Sequence, residues 1–323
     1  MHVTLEHVAL AAGVSRATAS RVLTGSGPSS PDARRRVEAV AARLGYVADP
    51  VARALVNGRG TRLVVAVSGA TDDVLGCDHL ARVVSSAARV CAPHGLGVAV
   101  QWLPLTGPEP ALAGLGGDRS VAGVVLVNTT DRVLASLPTA LLGRVASIGV
   151  GTDGVPMVDV DTATVAAAIS RHLLGGGRRR IAMLAGPPWL PCTRRPLLAY
   201  RAAMQAAGLP ERVVAGDFTT ASGRAGAAEV FRRWPDTDAV HAICDEVALG
   251  AMQAARRLGR QVPGDVAVIG FDDLPAAQFS GPGLTTATHP VEQIAAAAAR
   301  VALTRAADGP QLFPSELVLR ETA

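Results

Sequence analysis

The residues best suited to chemistry in this chain are two arginines, Arg16 and Arg21, set five apart in SRATASRVL, with Ala17 beside the first and Ser15, Thr18 and Ser20 interleaved. A guanidinium presents a planar fork of donors that matches the O6 and N7 acceptors of guanine. An alanine methyl suits an apolar contact, and hydroxyls suit phosphate oxygens. In a helix, positions 16, 17, 20 and 21 share one face. The plain alternative is a short helical hairpin with no ligand. A second candidate is the carboxylate pair Asp272 and Asp273 at the end of the apolar run VAVIGF (266–271). Two acids there serve as an acid and a base, or as a capped strand-end loop. Other reactive constellations are missing. GVGTDG (149–154) lacks the spacing of a dinucleotide loop and a helix opening on it, and no GxxxxGK[ST] loop, GxSxG elbow or HExxH pair occurs. Four cysteines (Cys77, Cys91, Cys192, Cys244) and seven histidines are scattered without metal-ligand spacing. The expectation is no metal, no cofactor, no catalysis, and cysteines that act as small buried side chains in a reducing compartment.

The elements that must carry the arginines are punctuated clearly. Thr4 is a candidate N-cap for a helix over 5–12, Gly13 breaks it, and Ser15 caps a second helix over 16–23. Leu5, Val8, Ala9, Val14, Ala19 and Val22 can close a small core beneath them, which predicts a helix-turn-helix with Arg16, Ala17, Ser20 and Arg21 facing outward. Ser30 then Pro31 and Asp32 start a third helix, which stops at Gly45. Asp49 and Pro50 repeat that signal before VARALVN, a segment too short to hold a helix alone and so expected to order against a partner such as DNA. Residues 1–60 hold eight arginines against four acids, while the 23 arginines and 23 acids of the remainder balance. All of the net charge of +4 therefore sits in the proposed DNA-reading segment, as neutralising phosphates requires.

From residue 62 the pattern changes to short apolar runs alternating with helical stretches. Strands are expected at 63–67, 97–103, 121–127 and 145–150, then in a second series at 181–185, 213–218, 239–244 and 266–271. Two such βα series predict two doubly wound lobes. The alanine-rich stretch 291–305 carries Glu, Gln and Arg, and is expected to be a packed helix rather than a membrane segment. With no apolar run of about 18 residues and no signal-like N-terminus, the protein is expected to be soluble and cytoplasmic, without a membrane partner.

The run VTLEHVALAAGVSRATASRVLTG, followed by ARLGY and DPVARAL, resembles the DNA-binding headpiece and hinge helix of the lactose-repressor (LacI/GalR) family over residues 3–58. The blocks at 158–188, 245–273, 283–295 and 316–323 resemble the periplasmic-binding-protein-like effector domain of that family. The resemblance implies an all-α headpiece over 1–58 and an α/β effector and dimerisation domain over 61–323. Its first lobe takes 61–158 and 288–314, its second takes 159–286 and 315–323, and the chain crosses between them near Val158, Thr286 and Ser315. The implied function is a transcriptional regulator, usually a repressor, that binds a palindromic operator as a homodimer and responds to a small-molecule effector. No leucine-rich tail follows the last matching block, so a dimer is expected over a tetramer. By the same resemblance Arg16, Ala17 and Arg21 read bases, Ser15, Thr18 and Ser20 hold phosphates, and Thr4, Leu5, Ser30, Tyr46, Ala54 and Leu55 complete the DNA-facing set. Leu55 takes the place of a leucine wedged into the minor groove. Asp272 matches an effector contact, with Arg195, Asp161, Cys244 and Trp189 as further candidates.

Two departures mark the effector site. Sugar-responsive members carry an arginine three residues before a Gly-aromatic pair, which reads Ala199 and Tyr200 here, so the position is Pro196. A proline has neither charge nor donor, and the clamp on vicinal hydroxyls is lost unless Arg194 or Arg195 reaches in. Cys244 replaces an asparagine, removing a donor and an acceptor. Aromatic residues make up only 3% of the chain. The expectation is a ligand more apolar or differently charged than a hexose, or none. The alternatives are a second half used only for dimerisation, and a solute-binding protein, which the headpiece argues against.

Overall fold

The computed structural model describes residues 3–25, 27–46, 60–304 and 309–323. The expected hinge helix, with Ala54 and Leu55, lies outside the described residues. In the headpiece, α1 (Leu5–Ala12), α2 (Arg16–Thr24) and α3 (Pro31–Leu44) start at the side-chain caps Thr4, Ser15 and Ser30, and each ends at a left-handed glycine. Each capping oxygen accepts a hydrogen bond from an otherwise unpaired backbone N–H of the first turn, which is why these residue types stand there. His7 takes the place of the usual Glu or Gln in the capping box of α1. Val8, Ala9, Ala19 and Val22 are buried with Ala12, Val37, Val40 and Ala41, while Leu5 and Val14 are half-buried against them. The third helix supplies much of a core that the hairpin alone left open.

Beyond the headpiece lie two parallel sheets. The first has six strands in the order β11 (Gln311–Phe313), β5 (Met157–Val160), β4 (Val145–Ile148), β3 (Val121–Val127), β1 (Arg62–Gly69), β2 (Gly97–Pro104). On one of its faces α4 (Asp78–Cys91) and α12 (Val291–Thr304) cover Leu63, Val65, Val67 and Val125. On the other, α5 (Glu109–Gly117) and α6 (Asp131–Ala135) cover Val64, Ala66, Val124 and Leu126. The second sheet runs β7 (Val213–Ala215), β6 (Ile181–Ala185), β8 (Ala239–Ala242), β9 (Ala267–Ile269). Here α7 (Thr162–Gly175) and α8 (Arg194–Ala206) take one face, and α9 (Thr220–Arg233) and α10 (Asp245–Arg257) the other. Burial on both faces explains why the strands read as continuous apolar runs. The chain passes from the first sheet to the second after β5 and, past the short α11 (Pro275–Phe279), returns before α12. It leaves again after β11, where the short β10 (Thr286–Ala287) and β12 (Leu317–Val318) pair antiparallel.

One expectation on the cysteines fails. Cys91 and Cys244 are buried, but Cys77 is exposed, because it occupies the N-cap position of α4 where the chain turns in from the surface. GVGTDG joins β4 to β5 with Thr152 and Val155 paired across the turn, and no helix opens on it.

The tightest helix crossing is that of α9 and α10. A Cβ placed on Gly223 would lie 2.2 Å from the carbonyl oxygen of Val247, and one on Gly250 would lie 2.2 Å from that of Thr220. Two backbones in contact leave no relaxation route through side-chain movement, so Gly223→Val is expected to cost about 1–3 kcal/mol or more in urea denaturation. Buried on β8 next to the Tyr200 ring, His241 leaves Nδ1 without a hydrogen-bond partner. Burial pushes its pKa down to about 4. A depressed imidazole stabilises the fold above its unfolded pKa of about 6.5, and that stability is lost as pH falls towards 4. The urea midpoint of the wild type should therefore fall across that window, and His241→Leu should flatten part of the fall.

Candidate nucleic-acid interface and effector cleft

On α2, Arg16, Ala17 and Arg21 are exposed and Ser20 is half-exposed, while Ala19 and Val22 face the core. Ser15 Oγ accepts from the Thr18 N–H at 3.1 Å and pairs with Thr18 Oγ1 at 2.9 Å. Ser30 Oγ accepts from the Ala33 N–H, and Thr4 Oγ1 from the His7 N–H. A hydroxyl that accepts a capping bond still has its own O–H to give, so capping and phosphate contact are compatible. Leu5 and Tyr46 both pack against the headpiece core, which makes each at least partly a structural residue. Arg21 lies along its own helix, its Nε donating to the Ala17 carbonyl at 3.2 Å.

The second site forms where strand ends of the two sheets meet. Asp272 and Asp273 follow β9 in the left-handed region, with φ of 114° and 51°. They point apart: Asp272 Oδ1 lies 2.8 Å from Nδ1 of His289, and Asp273 Oδ1 accepts from Nη2 of Arg320 at 2.6 Å. A cooperating acid and base pair is thereby excluded for these two. His289 stacks on His79 at the start of α4, with centroids 5.3 Å apart, and meets Phe271 in a tilted contact at 5.1 Å. Burial pushes Asp272 up to about 7 and both imidazoles down to about 4, so the two histidines are uncharged near neutrality while Asp272 titrates there. Arg82, the nearest guanidinium on α4, is engaged by Glu292 at 2.8 and 3.0 Å.

Arg195, at the start of α8, donates through Nη2 to the Gly149 carbonyl after β4 at 2.9 Å and to the buried carboxylate of Asp159 on β5. Arg195 thus does reach across from the neighbouring position while Pro196 is buried. Asp161 lies at the start of α7, directly after β5. Both of its oxygens accept from Thr164, one from the N–H and one from the hydroxyl, so it is engaged as the N-cap of α7. Cys244 is buried at the N-cap position of α10, its Sγ 3.7 Å from the Phe218 carbonyl. Trp189 is half-buried in the turn after β6. The structure sets Asp272 against His289 and Arg195 against Asp159, whose charge in turn acts on His289, and adds three residues that sequence inspection passed over: His79, Asp159 and His289. No local signal marks them, since His79 and His289 are joined only by the fold. Among the described residues no group of His, Cys, Asp and Glu is placed to hold a metal ion.

A helix-turn-helix with two exposed arginines, carried on a chain with two facing parallel sheets, defines a DNA-binding regulator. Residues 4–49 match the bacterial regulatory proteins of the lacI family, and residues 170–323 match a periplasmic binding protein-like domain. Over 98% of its length the chain is 35% identical to the HTH-type transcriptional regulator CelR of Thermobifida fusca, covering 95% of that protein. It is 28% identical to the repressor CytR of Escherichia coli K12, again over 98% of this chain and 95% of the relative. Among solved structures, a CelR–cellobiose complex matches with a TM-score of 0.72 at 30% identity over the whole of both chains. A lac repressor dimer bound to operator and an anti-inducer matches with a TM-score of 0.86 at 25% identity, over 100% of this chain and 99% of that one. The chain belongs to the LacI family of transcriptional regulators. It is a DNA-binding regulator and not an enzyme, and these relatives favour neither solute carriage nor a second half reduced to dimerisation.

If Arg16 reads a base, Arg16→Ala should cost ~1–3 kcal/mol on the specific site and little on random DNA in fluorescence-anisotropy titrations. Equal losses on both would make it a phosphate contact only.

Proposed function

We propose that the protein is a repressor that binds a two-fold symmetric operator as a homodimer and releases or tightens it when a small hydroxyl-bearing molecule enters between the two sheets. Arg16, Ala17 and Arg21 read bases, and Ser15, Thr18, Ser20, Thr4 and Ser30 meet phosphates. The lac repressor dimer, which this chain resembles over its whole length, supports the homodimer. No described helix is long and apolar enough to cross a membrane, and we place the protein in the cytoplasm with its operator.

One observation carries the switch: the polar contacts of Arg195 and Asp272 run between the two sheets or to the segment that connects them. Arg195 joins α8 to β4 and β5, and Asp272 joins the end of β9 to His289 on the return to α12. A ligand that takes over those donors and acceptors must prefer one lobe arrangement, and its binding is then reciprocally linked to operator binding. Pro196 and Cys244 offer such a ligand no charged or amide group, so its polar contacts fall to Arg195, Asp272 and the paired histidines. The cellobiose bound by the related CelR supports a polyhydroxylated effector, held here without the family's usual arginine. A thermal-shift screen over cellobiose, other sugars and nucleosides should find a stabilising ligand. Asp272→Asn should abolish the response while leaving operator affinity without ligand within about twofold. Operator affinity that stays the same at saturating ligand sinks the coupled site.

A further inference from the structure

Arg16 stands at the first position of α2, where the helix dipole is positive and a cation is disfavoured, and the first turn of α2 contains no acid to offset it. The compensating charge comes from another helix. Glu6, in the first turn of α1, brings Oε1 to 3.8 Å from Nη1 of Arg16, and both side chains are about seven-tenths exposed. An exposed pair at that distance does little for stability. Among the other described headpiece acids, Asp32 faces Arg35 and Arg36 along its own helix and Glu38 on α3 makes no ion pair with α2, leaving Glu6 as the acid directed at the recognition helix. A bare carboxylate on a surface that approaches phosphates opposes binding, so its effect there must be exerted through the arginine it faces.

We propose that Glu6 is a specificity-determining residue that positions Arg16 for base reading and withholds it from phosphates. The inference rests on the operator-binding role of α2. A guanidinium has five donors, and recognition of guanine uses two of them. A carboxylate 3.8 Å from one edge draws that edge of the fork toward α1 by charge attraction and leaves another edge for the O6 and N7 acceptors. The same carboxylate repels any phosphate that would draw Arg16 into a sequence-independent contact. Arg21 is restrained by other means, its Nε bonded to the Ala17 carbonyl and its stem against the position of Gly27. Glu6 should therefore act on the base pair read by Arg16 and leave the one read by Arg21 alone.

The test is selection from a randomised duplex library by the full chain as wild type, Glu6→Gln, Arg16→Ala and the double variant, with thermal melts to confirm equal folding. Arg16→Ala identifies the base pair whose preference it removes. Glu6→Gln is expected to weaken preference at that same pair several-fold and to raise affinity for random DNA by roughly 3- to 10-fold, with the two substitutions non-additive there. Wild-type preference retained at that pair, or a loss spread evenly over all positions, overturns the proposal. Selection of no sequence by the wild type would instead overturn the operator reading on which it rests.

Discussion

The effector half is built around one buried carboxylate. Asp245 is fully buried, and both its oxygens are used: one accepts from the Leu274 N–H at 2.8 Å and the other from the hydroxyl of Thr286 on β10. Its own N–H donates to the Phe271 carbonyl at 2.8 Å. Burial outweighs these bonds and, with the nearby carboxylates Asp272 and Asp273, pushes its pKa up to about 7. A buried acid without such partners would be costly, so the 271–274 loop and the return strand must both close on it. Gly270 makes this possible, because a Cβ there would lie 2.2 Å from an Asp245 oxygen. The clamp holds two consecutive non-glycine residues at positive φ, each costing of order 1–3 kcal/mol. That strain is retained where it directs the Asp272 carboxylate to His289 between the sheets.

The headpiece solves a different problem by different means. Its helices are short, with a core of small aliphatic side chains, and side-chain caps and left-handed glycines define every helix end. Caps contribute about 1 kcal/mol each and matter most where the apolar core is small. Concentrating the net charge in this segment separates the two tasks of the chain. Long-range attraction to a polyanion belongs to the headpiece, while the charges around the cleft are largely matched locally, as in Arg195 with Asp159, Arg82 with Glu292 and Arg320 with Asp273.

Local signals determined much of this protein from the sequence alone. Ser15 before a short periodic run, glycines after each helix and Pro31 at a first helical position act within one turn of chain, so the helix-turn-helix and its outward arginines were legible without a fold. The apolar runs marked the strands for the same reason, although 145–150, 213–218, 239–244 and 266–271 each run past the observed strand. At 239–244 and 266–271 the residues beyond the strand stay largely buried in the strand-end loops, whereas β7 stops at Ala215, where the chain turns out to the exposed Asp217. The tertiary structure decided what depends on distant partners. Asp161 had the residue type for a ligand contact, and only the fold shows that each of its oxygens also accepts a bond from Thr164 as the N-cap of α7. Asp159 carries no mark of its own in the sequence, and gains a role only because the fold brings Arg195, thirty-six positions away, against it. His79 and His289 carry no local mark, because stacking requires only proximity, and proximity across some two hundred residues is set by how α4 and α12 pack on one face of one sheet.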